Sequence, residues 1–253
     1  MNGEHEQITT KYINGYKIIE YEKSNIFVIE DIFNDDLCKE YCDLIDTIPL
    51  KKITYSNGNN VKCFINQMDE LLNTKDDLFY SFSTDTNEYK KMLEKANTNK
   101  PIQTNLMNGI THKTIKKYNE QINQKLKTIS GLMKDINDHI KFDYNTGYIL
   151  RKIYGPTRMH IDGINEIYSS DINFIHDNKL GDYKMIRNAT IIIALNDDYE
   201  GGLYNFPYYN VSLRLKKGSV LIFPPFWTHA HEATELENNT IKYTITTWTC
   251  MKI

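Results

Sequence analysis

Residues 218–232 read GSVLIFPPFWTHAHE, and this stretch decides how the rest of the chain is interpreted. The apolar run at 220–223 contains two β-branched residues and predicts a buried strand. Proline cannot donate to a sheet ladder, so the Pro-Pro turn that follows ends this strand. Directly after the turn come His229 and His231, two imidazoles placed at the end of a buried element. This placement is typical of a metal site or a polar pocket.

A second group of metal-binding side chains lies upstream, in a predicted strand at 157–162. His160 and Asp162 are two residues apart, so in a strand both side chains point to the same face. Two imidazoles and one carboxylate on one side of an ion leave the opposite positions open, as in non-haem iron(II) enzymes that activate dioxygen. If these residues meet a downstream histidine, the chain is predicted to be an oxygenase. The alternative is a histidine and an aspartate on a solvated sheet face.

One cation interrupts the β-branched segment 241–249, which reads IKYTITTWT. Lys242 is costly inside such a strand unless its ammonium reaches water or an anion, and a carboxylate co-substrate would supply that anion. Alternation places Thr244, Thr246 and Trp248 on the same face as Lys242. The alternative is an edge-strand lysine that discourages aggregation.

Short strand signals fill the C-terminal part of the chain. Turn residues separate candidate strands at 148–154, 157–162, 188–195, 202–206, 210–215, 219–223 and 241–249. Many short strands at this spacing favour a sandwich or a barrel. A long polar loop at 163–187 follows Asp162 directly. Loops beside a ligand-bearing strand are often functional lids, although a merely mobile loop is the alternative.

The upstream part is predicted to support this core. Strands are predicted at 16–19 and 26–29, and a helix is predicted at 34–49, where it begins at an Asn34 cap and closes at Pro49. Loops and short helices are predicted for 51–113. A second amphipathic helix, which needs a sheet to cover, is predicted at 114–140. We therefore predict one domain over 1–253, with 15–140 as N-terminal strands and supporting helices and 148–249 as the core.

Composition limits the classes of function. The chain has 253 residues, a net charge of -3 and a charged fraction of 25%, which is typical of soluble globular proteins without a broad basic surface. We therefore expect no nucleic-acid partner. No apolar run reaches a membrane span, and the first residues are polar, so a cytoplasmic protein without membrane contact is expected. The four cysteines form no CxxC pair, which predicts reduced core residues. No sequence feature indicates the oligomeric state.

The motifs occur in a fixed order along the chain. This order is His160-Ile161-Asp162, Gly201-Gly202 through Phe206, Lys217-Gly218-Ser219 through Phe223-Pro224, His231, Lys242 and Trp248. With these residues the chain resembles the 2-oxoglutarate- and iron(II)-dependent dioxygenases, specifically the prolyl-4-hydroxylase-like branch. The resemblance covers 148–249. It implies a mainly β fold with flanking helices, in which N-terminal helices support a double-stranded β-helix core of the jelly-roll or cupin type.

The resemblance also implies roles for individual residues. Iron(II) would be held by His160, Asp162 and His231, although His229 competes for the third position. The distance to Lys242 is eleven residues from His231 and thirteen from His229, and the family spacing favours His231. Lys242 would pair with the distal carboxylate of 2-oxoglutarate. Further contacts are assigned to Tyr154, Thr244 and Trp248 for the co-substrate, and to His229, Arg158 and Arg187 near the metal or the substrate.

The implied reaction is hydroxylation of a C–H bond, coupled to conversion of 2-oxoglutarate and dioxygen to succinate and carbon dioxide, with ascorbate in support. A protein or peptide side chain, proline first, is the expected substrate by family analogy. Oxidative demethylation of nucleic acid uses the same metal triad, but those enzymes place arginines where Lys242 and Trp248 stand. A third alternative is a non-catalytic β-helix that binds a metal, a small sugar or a partner protein.

Overall fold

The computed structural model describes residues 8–47, 51–53, 63–67, 80–81, 112–140, 142, 144–145, 148–163 and 185–252. The chain forms two compact units. The first contains residues Met1–Asn66, Leu150–Gly163 and Ala189–Thr246, and the second contains Gln67–Ile149, Ile164–Asn188 and Thr247–Ile253. The single domain over 1–253 stays a prediction.

Strands outnumber helices among the described elements. The strands are β1 (Ile8–Ile13), β2 (Tyr16–Tyr21), β3 (Ile26–Ile29), β4 (Lys51–Ile53), β5 (Cys63–Gln67), β6 (Tyr80–Ser81), β7 (Tyr144–Asn145), β8 (Ile149–Ile153), β9 (Thr157–His160), β10 (Met185–Ala194), β11 (Glu200–Gly201), β12 (Tyr204–Phe206), β13 (Val211–Leu213), β14 (Val220–Phe223), β15 (His231–Ala233), β16 (Leu236–Glu237) and β17 (Lys242–Lys252). The α-helices are α1 (Asp35–Thr47) and α2 (His112–Ile136), and short 3-10 helices lie at Pro207–Tyr209 and Trp227–His229.

Two sheets organise the first unit. The large sheet has the strand order β1-β2-β3-β14-β10-β17-β8-β5-β4, and the small sheet has the order β13-β12-β15-β9. From β8 onward the chain crosses repeatedly between them, so that β8, β10, β14 and β17 lie in the large sheet and β9, β12, β13 and β15 in the small one. This eight-strand arrangement is the jelly roll of a double-stranded β-helix. The predicted fold class is therefore confirmed.

The core of the first unit lies between the facing sides of these sheets. Leu221 and Phe223 of β14 pack in one cluster with Phe206 of β12 and with apolar side chains of β3, β10 and β13. Val220 and Ile222, which point to the other side of β14, are also fully buried. Burial on both sides explains why this strand reads as a continuous apolar run rather than an alternating one.

Helix α1 lies against the outer side of the large sheet. The Asn34 side chain accepts the N–H of Leu37 at 3.0 Å, so the predicted cap is present. Near the other end, Asp46 accepts hydrogen bonds from the Lys152 ammonium at 2.6 Å and from the Tyr243 hydroxyl at 3.0 Å. Because side chains alternate along a strand, the neighbours of Lys152 and Tyr243 point to the inner side of the sheet.

The second unit contains α2 and a small group of strands. The helix buries an apolar stripe at helical spacing, as the sequence predicted for 114–140, and it ends at Ile136; the buried members are Tyr118, Ile122, Leu126, Ile129 and Met133. The Tyr148 hydroxyl donates to Asn123 and accepts from Asn145 at 3.3 Å, which ties the helix to β7. The C-terminal end of β17 pairs with β7, and β7 pairs with β6.

Some sequence predictions for secondary structure are wrong. The segment 51–113 was expected to hold loops and short helices, yet β4, β5 and β6 lie within it. These strands have 3, 5 and 2 residues, which is too short to show a clear hydrophobic alternation. The strand β10 also begins at Met185, inside the predicted loop 163–187. Residues 164–184 of that loop, and Pro49 at the predicted helix end, lie outside the described residues.

Cys38, Cys42 and Cys250 carry free thiols. Burial raises the pKa of the Cys250 thiol to about 12, with a smaller opposing effect of the Arg187 charge. Cys38 and Cys250 are therefore core residues, and Cys42 is partly buried. The reduced state of all four cysteines stays a prediction. Among the described residues, neither α-helix combines the length and hydropathy that crossing a bilayer requires.

Candidate metal centre and anion pocket

Three predicted ligands meet at one end of the small sheet. His160 on β9 is the register partner of His231 on β15, so their imidazoles lie side by side with ring centroids 4.4 Å apart. The Asp162 carboxylate lies 3.5 Å from Nε2 of His160 and 3.6 Å from Nε2 of His231. One candidate ligand atom from each residue lies within 4.8 Å of the others. This geometry can hold one metal ion.

The backbone sets which nitrogen each imidazole presents to that point. Nδ1 of His160 lies 2.7 Å from the carbonyl oxygen of Arg158, and Nδ1 of His231 lies 3.0 Å from that of His229. A carbonyl only accepts, so each Nδ1 is the donor and each neutral ring has its lone pair on Nε2. Burial, as the largest effect, lowers the pKa of His231 to about 4, although the Asp162 charge opposes it. His231 therefore remains a neutral ligand at ordinary pH.

Asp162 is held at the end of β9 by contacts on both sides. The Thr190 hydroxyl donates to Oδ2 of Asp162 at 2.8 Å. The next residue, Gly163, donates its N–H to the Pro225 carbonyl at 2.5 Å, and a Cβ at Gly163 would collide with that oxygen. Burial on its own raises the pKa of Asp162, but the adjacent imidazoles of His160 and His231 and the Thr190 hydroxyl outweigh it. The net effect holds the pKa well below its usual range, so the carboxylate is ionised.

His229 lies apart from this group. Its ring is 3% exposed, with Nε2 2.5 Å from the Ser24 carbonyl and Nδ1 2.8 Å from the Thr228 hydroxyl. Burial lowers its pKa, and the hydrogen bond to Ser24 opposes that effect. Both nitrogens thus have structural partners, and the structure places His231 rather than His229 beside His160 and Asp162.

Lys242 lies in a buried pocket on the inner side of β17. The side chain is 2% exposed, its ammonium donates to the Gly202 carbonyl at 2.6 Å, and it lies 3.6 Å from the centroid of the Tyr204 ring. Lys242 forms no ion pair with any residue in the described part of the chain. Burial first, and then the charges of Arg214 and Arg151, lower the pKa of Lys242 to about 7. A buried ammonium in this state is expected to bind an anion.

Gly202 owes its role to backbone conformation. Its φ of 63° lies in the left-handed region, and an added Cβ would collide with the side chain of Leu236. The glycine pair at 201–202 therefore lets the chain turn tightly enough to aim a carbonyl at the ammonium of Lys242.

Aromatic side chains of β12 connect the pocket to the metal-binding group. Tyr204 lies under the Lys242 ammonium and pairs in register with Ala233, two residues after His231. Phe206, on the same face of β12, stacks on His231 with centroids 5.4 Å apart. The cation and the candidate metal ligands therefore line one continuous inner surface.

The remaining predicted site residues have different surroundings. Thr244 is buried on the Lys242 face of β17. The Tyr154 ring lies 5.8 Å from the Lys152 ammonium, on the side of β8 that carries the pair with Asp46. Arg158 contributes its backbone carbonyl to His160. Arg187 and Trp248 belong to the second unit, where the guanidinium lies 4.2 Å from the indole centroid. The binding roles assigned to these side chains stay predictions.

Sequence reasoning missed Thr190, Tyr204 and Arg151. Thr190 and Tyr204 lie in predicted strands but carry no spacing signal of their own. Arg151 does carry one, because it is a charge within the predicted strand 148–154, the same signal that singled out Lys242.

Solved structures that resemble this chain include prolyl hydroxylases. A viral collagen prolyl hydroxylase from Paramecium Bursaria Chlorella virus-1, solved as a 2-oxoglutarate complex, is 14% identical with a TM-score of 0.49, over 92% of this chain and 98% of its own. A Trichoplax adhaerens prolyl hydroxylase bound to a hypoxia inducible factor peptide fragment is 12% identical with a TM-score of 0.49, over 90% of this chain and 84% of its own. A Pseudomonas putida prolyl-4-hydroxylase is 11% identical with a TM-score of 0.43, over 90% of this chain and 92% of its own.

No protein-family model and no curated protein sequence matches the chain. The chemistry of this chain depends on its own side chains.

Proposed function

We propose that this chain is a 2-oxoglutarate- and iron(II)-dependent oxygenase that hydroxylates a C–H bond of a protein or peptide side chain. One observation carries the proposal. Three candidate ligands, His160, Asp162 and His231, converge on the same inner surface as a buried lysine without a carboxylate partner among the described residues. A metal-binding module needs only the three ligands, whereas an enzyme that uses a dicarboxylate co-substrate needs the ligands and the buried lysine.

The donor set fits iron(II). Two imidazole nitrogens and one ionised carboxylate suit a divalent first-row metal and leave coordination positions for other molecules. When bound, such an ion activates dioxygen and orients the 2-oxo acid beside it. The protein supplies His160 and His231 as neutral ligands, fixes Asp162 through Thr190, and closes the interior side with Phe206.

Lys242 would bind the distal carboxylate of 2-oxoglutarate. Its ammonium has three donors, of which one is directed to the Gly202 carbonyl. The others can form charge-assisted hydrogen bonds with a carboxylate in a site with little water. The overall reaction is balanced: one C–H, one dioxygen and one 2-oxoglutarate give one C–OH, one succinate and one carbon dioxide.

A peptide-like substrate is supported by the surface beside the candidate ligands. Met159 precedes His160 and is 42% exposed, while Phe226 and Trp227 lie in the turn before His231 and are 42% and 76% exposed. Large exposed apolar side chains near a site favour contact with another macromolecule. We propose proline as the first residue to test, by analogy with the resembling enzymes.

The experiment supplies purified protein with iron(II), ascorbate and 2-oxoglutarate, and adds a pool of proline-containing peptides. We expect succinate release, together with peptides heavier by one oxygen in mass spectra. The Asp162→Ala variant should give neither product, whereas Asp43→Ala, which removes an exposed carboxylate of α1, should match the wild type. Absence of succinate from iron-loaded wild-type protein, with and without peptide, would contradict the proposed function.

A further inference from the structure

Arg151 is a second cation on the inner side of the large sheet. It lies on β8 next to Lys152, and Lys152 points to the outer side, where it pairs with Asp46. Alternation therefore directs Arg151 to the inner side. Strands β8 and β17 are neighbours in the large sheet, and Lys242 on β17 also points inward. Adjacent strands thus present two cations to one surface.

The electrostatic surroundings place Arg151 near both ends of the site. After burial and the Arg214 charge, the Arg151 charge is a further cause of the low pKa of Lys242. The same guanidinium acts on His231 and on Tyr204, after the larger effect of burial in each case. Arg151 therefore lies close enough for its charge to act on the lysine pocket and on the candidate metal ligands.

Two unsatisfied polar groups mark this surface. Nε of Arg151 is buried and has no hydrogen-bond partner among the described residues. The same holds for the hydroxyl of Thr246, which shares the inner face of β17 with Lys242. Arg151 also forms no ion pair within the part of the chain that the structure describes. Buried donors without described partners beside an ammonium without an ion pair suit a ligand rich in anionic oxygen.

Arg214, another arginine whose charge acts on Lys242, has hydrogen-bond partners within the chain. Its guanidinium donates to the carbonyl oxygen of Asp197 at 2.6 Å and to that of Tyr199, and it packs over the Tyr199 ring at 4.8 Å. Its charge also reaches Lys242, yet the side chain is exposed and Nη2 donates to two backbone carbonyls. Arg214 thus has the charge of Arg151 without its need for an anion.

We propose that Arg151 binds the distal carboxylate of 2-oxoglutarate together with Lys242, so that this pair of cations selects a dicarboxylate over a monocarboxylate 2-oxo acid. The inference rests on the proposed function and adds a positioning residue to it. A guanidinium offers a planar pair of donors that matches a carboxylate, and the ammonium adds a point charge. Neutralising both cations by one anion also removes their mutual repulsion.

The test measures binding rather than turnover. Calorimetry with manganese(II)-loaded protein gives dissociation constants for 2-oxoglutarate and for 2-oxobutanoate, which lacks the distal carboxylate. We expect Arg151→Gln to weaken 2-oxoglutarate by at least about tenfold and to leave 2-oxobutanoate within about twofold. Arg151→Lys should lie between the wild type and Arg151→Gln, and Arg214→Gln should change neither ligand. Melting temperatures establish that each variant is folded.

Unchanged 2-oxoglutarate affinity in Arg151→Gln, or an equal loss for both ligands, would overturn the proposal. If Arg151→Gln does not fold, Arg151→Lys decides by the same selective loss. Wild-type protein that binds no 2-oxoglutarate would overturn the proposed function and this inference together, whereas normal wild-type binding with an unaffected Arg151→Gln variant overturns this inference alone.

Discussion

The metal-binding group and the lysine pocket share one inner surface but differ in how completely the chain satisfies them. Around His160, Asp162 and His231, each imidazole donates Nδ1 to a backbone carbonyl, and the carboxylate is held by Thr190 and faces both rings. Around Lys242 and Arg151, two cations lie without a carboxylate partner in the described part of the chain. The first group is preorganised by the protein alone, whereas the second is complete only with an anion. Substitutions should therefore act differently in the two regions.

The largest effect is expected within the metal-binding group. His231→Gln removes a ligand that points at the other two, so metal affinity should fall by more than the roughly 10- to 100-fold that loss of an outer partner costs. His229→Gln is the matched variant, two residues away, and should keep metal affinity within about twofold while lowering the melting temperature. Calorimetric titration with manganese(II) measures both. Equal losses in the two variants would show that the two histidines are not distinguished as the structure indicates.

In the lysine pocket, Lys242→Met should weaken 2-oxoglutarate binding but stabilise the ligand-free protein. The affinity for 2-oxoglutarate should fall at least about 30-fold, because losing one partner of a buried charge pair costs about 2 to 5 kcal/mol. The ligand-free variant should instead be more stable by about 1 to 4 kcal/mol, because an apolar side chain replaces a buried charge. Denaturant unfolding and calorimetry measure the two effects, with the exposed Lys39→Met as the control. A destabilised ligand-free Lys242→Met protein would contradict this view of the pocket.

The stability gain should also depend on pH. The pKa of Lys242 is lowered to about 7 in the folded state, mainly by burial, below its unfolded value of about 10.4. Between these pH values the unfolded wild-type chain binds more protons than the folded one, so the free energy of unfolding of the wild type rises with pH. The advantage of Lys242→Met is therefore largest below about pH 7 and disappears near about pH 10.

Thr190→Val tests the preorganisation of the metal-binding group more gently. Valine keeps the shape of the fully buried side chain but removes the hydroxyl that donates to Asp162. Metal affinity should fall by about tenfold, as for other outer partners of ligands. Thr247→Val is the matched control, because that buried hydroxyl has no hydrogen-bond partner among the described residues. A Thr190→Val protein with wild-type metal affinity would show that Asp162 needs no such support.

Co-substrate binding should also depend on pH. The Lys242 ammonium faces Tyr204 of β12 and Tyr199, and the charges of Arg151 and Arg214 act on it. An anion favours the protonated lysine, so above its pKa of about 7 binding must take up a proton. The affinity for 2-oxoglutarate should then fall by up to about tenfold per pH unit above about pH 7. Lys242→Arg, which stays charged, should abolish this dependence, and a flat wild-type profile would contradict it.

The two regions also differ in what the sequence could predict. Alternation in strands predicted that His160 and Asp162 share one face and that Lys242 shares a face with Thr244 and Thr246. The choice between His229 and His231 needed the register of β15 on β9, which places only His231 opposite His160. Arg151 carries the same kind of signal as Lys242, a charge within a predicted strand, and the sequence reasoning overlooked it. Its inward direction follows from the pairing of its neighbour Lys152 with Asp46, more than a hundred positions away in the chain, and a contact of this kind leaves no local pattern.

The fold was more accessible than the pocket. Seven short candidate strands separated by turn residues predicted a sandwich or a barrel, and the resemblance of the motifs narrowed this to the jelly roll. The strands β4 and β5 were not predicted, since they contain only 3 and 5 residues and pair with each other at the edge of the sheet. The resemblance to prolyl hydroxylases rested on the C-terminal motifs, where the candidate site lies.

The central claim is that one site binds a metal ion and a dicarboxylate 2-oxo acid side by side. Anaerobic calorimetry of 2-oxoglutarate binding, with and without iron(II), tests it most directly. We expect one 2-oxoglutarate per chain, bound tightly only when iron(II) is present, and we expect Asp162→Ala to lose this metal-dependent part. Binding of equal strength with and without iron(II), or no binding by the iron-loaded wild type, would contradict the account.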